Sequence, residues 1–131
     1  MLRIQSPLPD DLERLSHDAL GCRIAVHREL GPGLIEGIYA RAVAMEMTAR
    51  GIPFEAEKAI PVQYRGALLC HQRLDLLVGG QIVVELKAVD FLHPIHVTQV
   101  LSYLRVAGLR LGLLVNFNVS VLKAGIRRVI L

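Results

Sequence analysis

Two acidic residues and one lysine interrupt apolar, strand-like sequence. Asp75 lies in the run 74–78, and Glu85 and Lys87 lie in the run 82–89. Because side chains alternate along a strand, Glu85 and Lys87 share one face of it. A carboxylate and an amine two residues apart, with a second carboxylate on a neighbouring strand, form the kind of cluster that binds a divalent metal beside a phosphate.

The turn between the two runs decides whether the carboxylates can meet. A two-residue turn at 79–80 sets Asp75 opposite Val84, which puts Asp75 and Glu85 on opposite faces. A turn over residues 79–81 sets Asp75 opposite Glu85. We predict this second register because it separates a chemical face from an apolar one. The chemical face would hold Asp75, Leu77, Val83, Glu85 and Lys87. The apolar face would hold Leu74, Leu76, Val78, Ile82, Val84 and Leu86.

The elements that must position these residues follow from periodicity and from glycine and proline breaks. The pattern predicts helices over about 9–30, 34–50 and 94–107. It predicts strands over 59–64, 68–71, 74–78, 82–89 and 109–117, and a last strand near the C-terminus. Helices, an antiparallel meander, a helix and further strands indicate an α/β fold with a mixed central sheet.

Two of the helices carry polar side chains on faces that look toward the sheet. On the second helix, Glu36 begins a stripe with Tyr39, Val43 and Met47. Taken alone, Glu36 is a first-turn glutamate that complements the helix dipole, and Tyr39 is a core residue. On the third helix, residues at spacings of three and four form a second polar stripe: His96, Gln99 and Tyr103.

Composition limits the classes of protein that fit. At 131 residues the chain predicts one domain, 1–131, with no membrane span and no signal-peptide order in residues 1–18. Two distant cysteines, Cys22 and Cys70, predict buried reduced thiols in a cytoplasmic protein. The net charge of +3 is too weak to indicate nucleic-acid binding by itself, although 12 of the 15 basic residues are arginine. With 53% hydrophobic residues, an oligomer interface is a reasonable expectation.

Three motifs together resemble one nuclease superfamily. Asp75 followed by Glu85-Leu86-Lys87 resembles the PD-(D/E)xK pattern, with Leu74 in place of the proline. Residues 99–103 are similar to the QxxxY motif of its RecB-like branch. Residues 33–39 match GxxExxY, the motif that names a small bacterial family of the same superfamily. The resemblance covers about residues 12–131 and implies a restriction-endonuclease-like core.

The resemblance also implies a metal-dependent site. Asp75 and Glu85 would hold Mg²⁺ or Mn²⁺, with the Leu86 carbonyl as a backbone ligand and Glu36 as an additional acidic ligand, directly or through water. Lys87 would position or deprotonate the attacking water and stabilise charge on the phosphate.

Further residues would complete that site. Gln99 would orient Lys87 or the water, and Tyr103 could hydrogen-bond a phosphate. Arg73 could meet phosphate or cap the strand end. His96 is open between lining the site and hydrogen-bonding the helix N-terminus.

Two functions follow from these residues. The first is a metal-dependent phosphodiester hydrolase that acts on nucleic acid, DNA more than RNA. The second is a non-catalytic binding or assembly module that keeps the nuclease fold, which the weak charge and the 5% aromatic content favour. A structural ion pair of Lys87 with Glu85 or Asp75 is the alternative to a metal site. We favour the metal, because three carboxylates around one lysine leave excess negative charge.

Overall fold

The computed structural model describes residues 7–131, so part of the N-terminal stretch discussed above lies outside the described residues. The helices are α1 (Asp10–Leu30), α2 (Glu36–Ala49) and α3 (Pro94–Ala107). The strands are β1 (Phe54–Tyr64), β2 (Ala67–Val78), β3 (Ile82–Lys87), β4 (Leu111–Asn116) and β5 (Ile126–Ile130), with a 3-10 turn at Leu122–Gly125. The three predicted helices are confirmed, whereas the strands predicted over 68–71 and 74–78 form the single strand β2.

The helix ends agree with simple electrostatic and steric rules. Acidic residues occupy the first turn of α1, and His27 and Arg28 occupy its last turn, which complements the helix dipole. Helix α3 begins with Pro94. Proline has no backbone N–H, but the N–H of a first helical residue has no acceptor within the helix, so no hydrogen bond is lost there. The helix ends at Gly108, which adopts a φ of 70° that favours glycine.

The five strands form one sheet in the order β1-β2-β3-β4-β5. All neighbouring pairs are antiparallel except β3 and β4, which run parallel and are connected through α3. The predicted meander and the mixed sheet are therefore confirmed. Parallel pairing requires a crossover of this kind, because a short turn cannot return the chain to the same end of the sheet.

Hydrophobic residues cover both faces of the sheet. Helices α1 and α2 pack on one face, where Tyr39, Val43 and Met47 are fully buried. Helix α3 packs on the other face through Val100 and Leu104. The predicted division into one apolar and one chemical face is thus incomplete, since the chemical face is also a core face.

Leu74 lies on the face opposite to the predicted one. It packs with Leu77 and Val83 beneath α3, not with Leu76 on the other side. The alternation of β2 therefore slips between residues 74 and 77, next to Asp75. Across the β1–β2 ladder at this point stands Glu57, whose φ of 51° is unusual for a residue other than glycine.

The β1–β2 hairpin extends beyond the rest of the sheet. We call residues 61–73 the arm; each of them is exposed or half-exposed. Cys70 lies in the arm and is exposed, so the expectation that both thiols are buried is correct only for Cys22. Among residues 7–131, no helix has the length and apolar character needed to cross a bilayer.

Candidate active site

Asp75 and Glu85 meet where β2 and β3 separate. The two strands pair as Leu76 with Val84 and Val78 with Ile82, which is the three-residue-turn register predicted from the sequence. Continued by one residue, this register sets Asp75 opposite Glu85. The Asp75 amide donates to Glu85 Oε1 (3.2 Å), and the Leu86 amide donates to Asp75 Oδ2 (2.8 Å). Side-chain oxygens thus replace the ladder of backbone bonds at the point of separation.

The environment of Glu85 disfavours its charge. Glu85 is only 7% exposed, and burial together with the neighbouring Asp75 carboxylate raises its pKa to about 8. Lys87 acts in the opposite direction but does not overcome burial. A bound cation would favour the ionised form of Glu85, because its charge would offset the effects of burial and of the Asp75 carboxylate.

Lys87 ends β3 without a carboxylate partner in contact. Within residues 7–131 the ion pairs closer than 4.0 Å are Arg50–Glu46, Lys58–Glu55 and Arg128–Glu13, none of which involves Lys87. The structural ion pair considered as an alternative is therefore not formed. The Lys87 carbonyl accepts a hydrogen bond from the Phe117 amide (2.9 Å), which ties the end of β3 to the end of β4.

Glu36 reaches the same region from the first turn of α2. Its side chain and that of Asp75 line a cavity of about 560 Å³ between α2 and the β1–β2 hairpin. Although Glu36 is exposed, partial desolvation of its carboxyl and then the charge of Asp75 raise its pKa, while Lys87 lowers it. Glu57 also lines this cavity.

Tyr39 holds the loop that delivers Glu36. Its hydroxyl donates to the Gly31 carbonyl and accepts from the Leu34 amide (3.2 Å). Its ring stacks on Phe117, with centroids 4.4 Å apart and planes 8° from parallel. Gly33 adopts a φ of 101° in this loop, a conformation that favours glycine. Within the GxxExxY pattern, Gly33 is a turn residue, Glu36 lines the cavity shared with Asp75, and Tyr39 is the buried core residue that the sequence predicts.

Helix α3 borders the carboxylates on the other side of the sheet. Tyr103 is half-buried, and burial followed by the charges of Glu85 and Asp75 raises its pKa, so its hydroxyl stays protonated. Gln99 and Tyr103 share a groove of about 380 Å³ with Gln72 of the arm. Gln99 is exposed and makes no hydrogen bond with Lys87.

His96 and Arg73 lie at the edges of this region. The His96 Nδ1 accepts from the His93 amide (3.1 Å), which gives it the helix-terminal role. Desolvation and then the charges of Lys87 and His93 lower its pKa, so it also lies within electrostatic range of the lysine. Arg73 is exposed at the base of the arm, where it pairs with Ala59 in the ladder.

A sequence model of the PD-(D/E)XK nuclease superfamily matches residues 13–129, nearly the whole chain. The chain belongs to the PD-(D/E)XK nuclease superfamily. The five-stranded mixed sheet with helices on both faces is consistent with the restriction-endonuclease-like fold, and membership indicates a nuclease-like function with a nucleic-acid substrate. No curated protein and no solved structure gives a significant match.

Members of this superfamily typically depend on a divalent metal, and the donors present here fit a hard cation in part. Asp75 and Glu85 each accept one backbone hydrogen bond through a carboxylate oxygen, and carboxylate oxygens are the donors that a hard cation prefers. Within the described range no three acidic, histidine or cysteine side chains converge closely enough to form a ready metal site. Glu36 therefore stands near the pair without completing a three-ligand group.

Buried polar residues that were not singled out from the sequence include Asn116 and Arg23. Asn116 is 1% exposed, and its side chain bonds to both backbone groups of Val89 (2.9 and 3.0 Å) and to the Asn118 amide (3.2 Å). It fixes the segment that follows Lys87. Arg23 is fully buried, and no hydrogen-bond acceptor meets its guanidinium within residues 7–131. A polar residue inside the apolar run 111–117 was a signal for Asn116; no such signal marked Arg23.

A separate cavity lies away from these residues. It measures about 630 Å³ between α1 and the 3-10 turn, and its lining includes His27, Arg28 and Lys123. None of the predicted site residues borders it. The candidate site is therefore located by the carboxylate pair and not by this cavity.

Proposed function

We propose that this protein is a divalent-metal-dependent hydrolase of nucleic-acid phosphodiesters, with DNA preferred over RNA. The observation that carries the proposal is the carboxylate pair at the point where β2 and β3 separate. Asp75 and Glu85 bond to each other's strands while Lys87 forms no ion pair closer than 4.0 Å. Negative charge without a contacting counter-ion, beside an available amine, matches a metal and a phosphate better than a closed salt bridge.

The metal would be held by Asp75, Glu85 and the Leu86 carbonyl, with Glu36 binding directly or through water. When bound, Mg²⁺ or Mn²⁺ supplies an activated water and neutralises charge on the phosphate. The raised pKa of Glu85 means that this carboxyl must release its proton to serve as a ligand. Binding is therefore expected to strengthen as the pH rises toward 8.

The remaining residues act on the water and the phosphate. Lys87 orients or deprotonates the attacking water and stabilises the developing negative charge, because its ammonium is not committed to a contacting carboxylate. The Tyr103 hydroxyl, kept protonated beside the carboxylates, donates to a phosphate oxygen. Gln99 orients the water or Lys87, and Arg73 and His96 contact phosphates on either side.

The proposal is tested with plasmid and linear DNA and with RNA, each in Mg²⁺, Mn²⁺ or EDTA. We expect cleavage that requires the metal and that falls about a hundredfold or more in Asp75→Asn and in Lys87→Ala. Glu29→Gln is the matched control, because Glu29 is an exposed carboxylate on α1. Circular dichroism must show that each variant is folded.

Two results would count against the proposal. One is the absence of metal-dependent cleavage across all substrates with the folded wild-type protein. The other is cleavage that persists unchanged in Asp75→Asn, since a contaminating nuclease would be unaffected by this substitution. Calorimetric titration with Mn²⁺ separates loss of the metal from loss of the chemistry, because Lys87→Ala is expected to keep metal affinity.

A further inference from the structure

The N-terminal turn of α3 and strand β5 border an open cavity of about 480 Å³. Its lining combines apolar residues with a hydroxyl, an imidazole and a guanidinium: Leu92, His93, Pro94, Val97, Thr98 and Arg127. Among the described residues no acidic side chain lines it, and the exposed Asp90, the nearest acidic residue in the sequence, is not part of the lining. The cavity therefore suits an apolar group that is attached to a negative charge.

Arg127 is held at this cavity with hydrogen-bond donors to spare. Its Nη1 donates to the carbonyls of Ala124 (3.2 Å) and Ile126 (2.9 Å). No carboxylate of residues 7–131 lies within 4.0 Å of it, in contrast to Arg128, which pairs with Glu13. Its Nε and Nη2 make no hydrogen bond within the same residues, so they can donate to a phosphate.

Arg127 lies on the same row of the sheet as the carboxylate pair. Glu85 of β3 pairs with Leu114 of β4, and Leu114 pairs with Arg127 of β5. Residues paired in this way point to one face of the sheet, and neighbouring strands are about 4.8 Å apart. The Cα atom of Arg127 thus lies about 10 Å from that of Glu85, on the face that α3 covers.

A path of aromatic rings connects the cavity with Lys87. The ring centroid of His93, which lines the cavity, lies 4.4 Å from that of Phe91 and 5.7 Å from that of His96. His96 in turn lies within electrostatic range of Lys87. A nucleic-acid strand that runs over the N-terminal turn of α3 therefore reaches both the cavity and the candidate active site.

The Phe91 ring is presented to solvent from a fixed loop. It is 62% exposed. Two residues before it, both backbone groups of Val89 bond to the Asn116 side chain. The residue after it, Leu92, packs against the core beneath α3. A base inside a duplex has both faces covered by its neighbours, whereas an unpaired base can stack on an exposed aromatic ring of this kind.

We propose that this cavity, together with the Phe91 ring, is a subsite for an unpaired nucleotide of the substrate strand. The base stacks on Phe91 and His93, and Arg127 contacts a phosphate of the same strand. The protein therefore acts where a strand is unpaired, at a frayed end, a flap or a single-stranded stretch. The choice of nucleic acid as the ligand rests on the proposed function, and the subsite adds that the strand is unpaired beside the cleaved bond.

Fluorescence anisotropy in EDTA measures binding without cleavage. The probes are a labelled single DNA strand of mixed sequence, the same strand with abasic sites, and its blunt duplex. We expect the wild type to bind the intact single strand most tightly. Phe91→Ala should weaken this binding about tenfold, the loss of one stacked base, and should leave binding of the abasic strand unchanged. Phe91→Tyr keeps the ring and should bind within about twofold of the wild type.

Matched controls separate the ring and the guanidinium from general surface effects. Met45→Ala should leave binding unchanged, because Met45 is also a large exposed apolar residue, at 73%, but lies on α2. Arg127→Gln should lower the slope of log affinity against log salt concentration by about 0.7, which corresponds to one phosphate contact on a single strand. Arg105→Gln should lower it by less, because Arg105 is an exposed arginine in the last turn of α3. Circular dichroism must show that each variant is folded.

Three binding results would overturn the subsite. The first is a wild type that binds the blunt duplex as tightly as the single strand. The second is a folded Phe91→Ala protein that keeps its affinity for the single strand. The third is an equal loss in Phe91→Ala for all three probes, which would show that the ring contacts the backbone or a groove and not an unpaired base.

Cleavage in Mg²⁺ or Mn²⁺ separates this inference from the proposed function. On a forked duplex we expect cuts in the unpaired arms. If the wild type cuts a blunt duplex as readily as these arms, the hydrolase stands and the subsite fails. If it cuts nothing but shows Phe91-dependent binding of the single strand, the hydrolase fails and the subsite stands as a binding site.

Discussion

Replacing Glu85 by glutamine should change how stability depends on pH. Glutamine keeps the oxygen that accepts from the Asp75 amide and replaces a repelling carboxylate by an amide that can donate to Asp75. The wild-type group has a folded pKa of about 8 against an ordinary value of 4.5. Below pH 4.5 Glu85 is protonated in both the folded and the unfolded protein, so it does not make the free energy of unfolding depend on pH.

The sign and size follow from linkage. As the pH rises from 4.5 to 8, the unfolded chain releases the proton of Glu85 while the folded chain keeps it, so the wild type loses stability. Each pH unit corresponds to about 1.4 kcal/mol, which gives a loss of up to about 5 kcal/mol that levels off above pH 8. The stability advantage of Glu85→Gln over the wild type should therefore grow across this range.

Urea denaturation in EDTA at pH 5, 6, 7, 8 and 9, followed by circular dichroism, measures this difference directly. The variant is compared with the wild type at each pH, so that other titrating groups cancel. Glu55→Gln is the control, because Glu55 is an exposed carboxylate in a surface ion pair and its removal should give a small difference. A Glu85→Gln difference that is constant within about 0.5 kcal/mol from pH 5 to 9 would refute the reasoning.

Four other measurements test the structure. Mg²⁺ at a hundredfold its dissociation constant should stabilise the wild type by about 2.7 kcal/mol in urea denaturation and Glu85→Gln by less; equal stabilisation would contradict the metal assignment. Arg23→Met should raise the free energy of unfolding by about 1–3 kcal/mol, because it removes a buried guanidinium without an acceptor in the described chain; a loss above 1 kcal/mol would show that a partner exists. Asn116→Leu should cost about 2–4 kcal/mol in the same assay, since it leaves half-buried backbone groups of Val89 unpaired, and Asn116→Asp should cost less. Tyr39→Phe should cost about 1–2 kcal/mol through its two lost hydrogen bonds; an unchanged melting temperature would argue against the anchoring role.

The register of the β2–β3 hairpin was predictable because one of the two turn lengths considered separates the charged side chains from a continuous apolar face. Slipping the strands by one residue moves every side chain to the other face, so the alternation of polar and apolar residues selects one register. The two glycines of the turn, Gly79 and Gly80, have φ values of 57° and 67° and provide the left-handed residues that the three-residue turn uses. Local sequence therefore contained the information that brings Asp75 and Glu85 together.

Features that depend on distant packing were not predictable in this way. Both faces of the sheet are covered, so apolar side chains occur on each and alternation no longer separates core from surface. Leu74 changes face where β2 slips beside Glu57, a glutamate whose positive φ has no sequence signal. No pattern in the sequence marked Arg23, which the structure buries fully.

The position of Glu36 was predictable in part. The helical spacing predicted that Glu36 shares an inward face with Tyr39, Val43 and Met47; the structure buries these three residues but leaves Glu36 exposed. Its distance from the carboxylate pair depends on the loop that Tyr39 anchors and on the stack with Phe117. These contacts join residues nearly eighty positions apart, beyond the reach of local pattern.

The spacing of the charged cluster along the chain has a consequence for the order of synthesis. Asp75, Glu85 and Lys87 all belong to one hairpin that closes through a three-residue turn. Such hairpins form within microseconds, whereas the parallel pairing of β3 with β4 must wait for α3 and the residues after it. The two carboxylates and the lysine thus belong to a locally closed unit that precedes α3 in the chain. The groups of α3 that border them arrive only when the second half of the core closes.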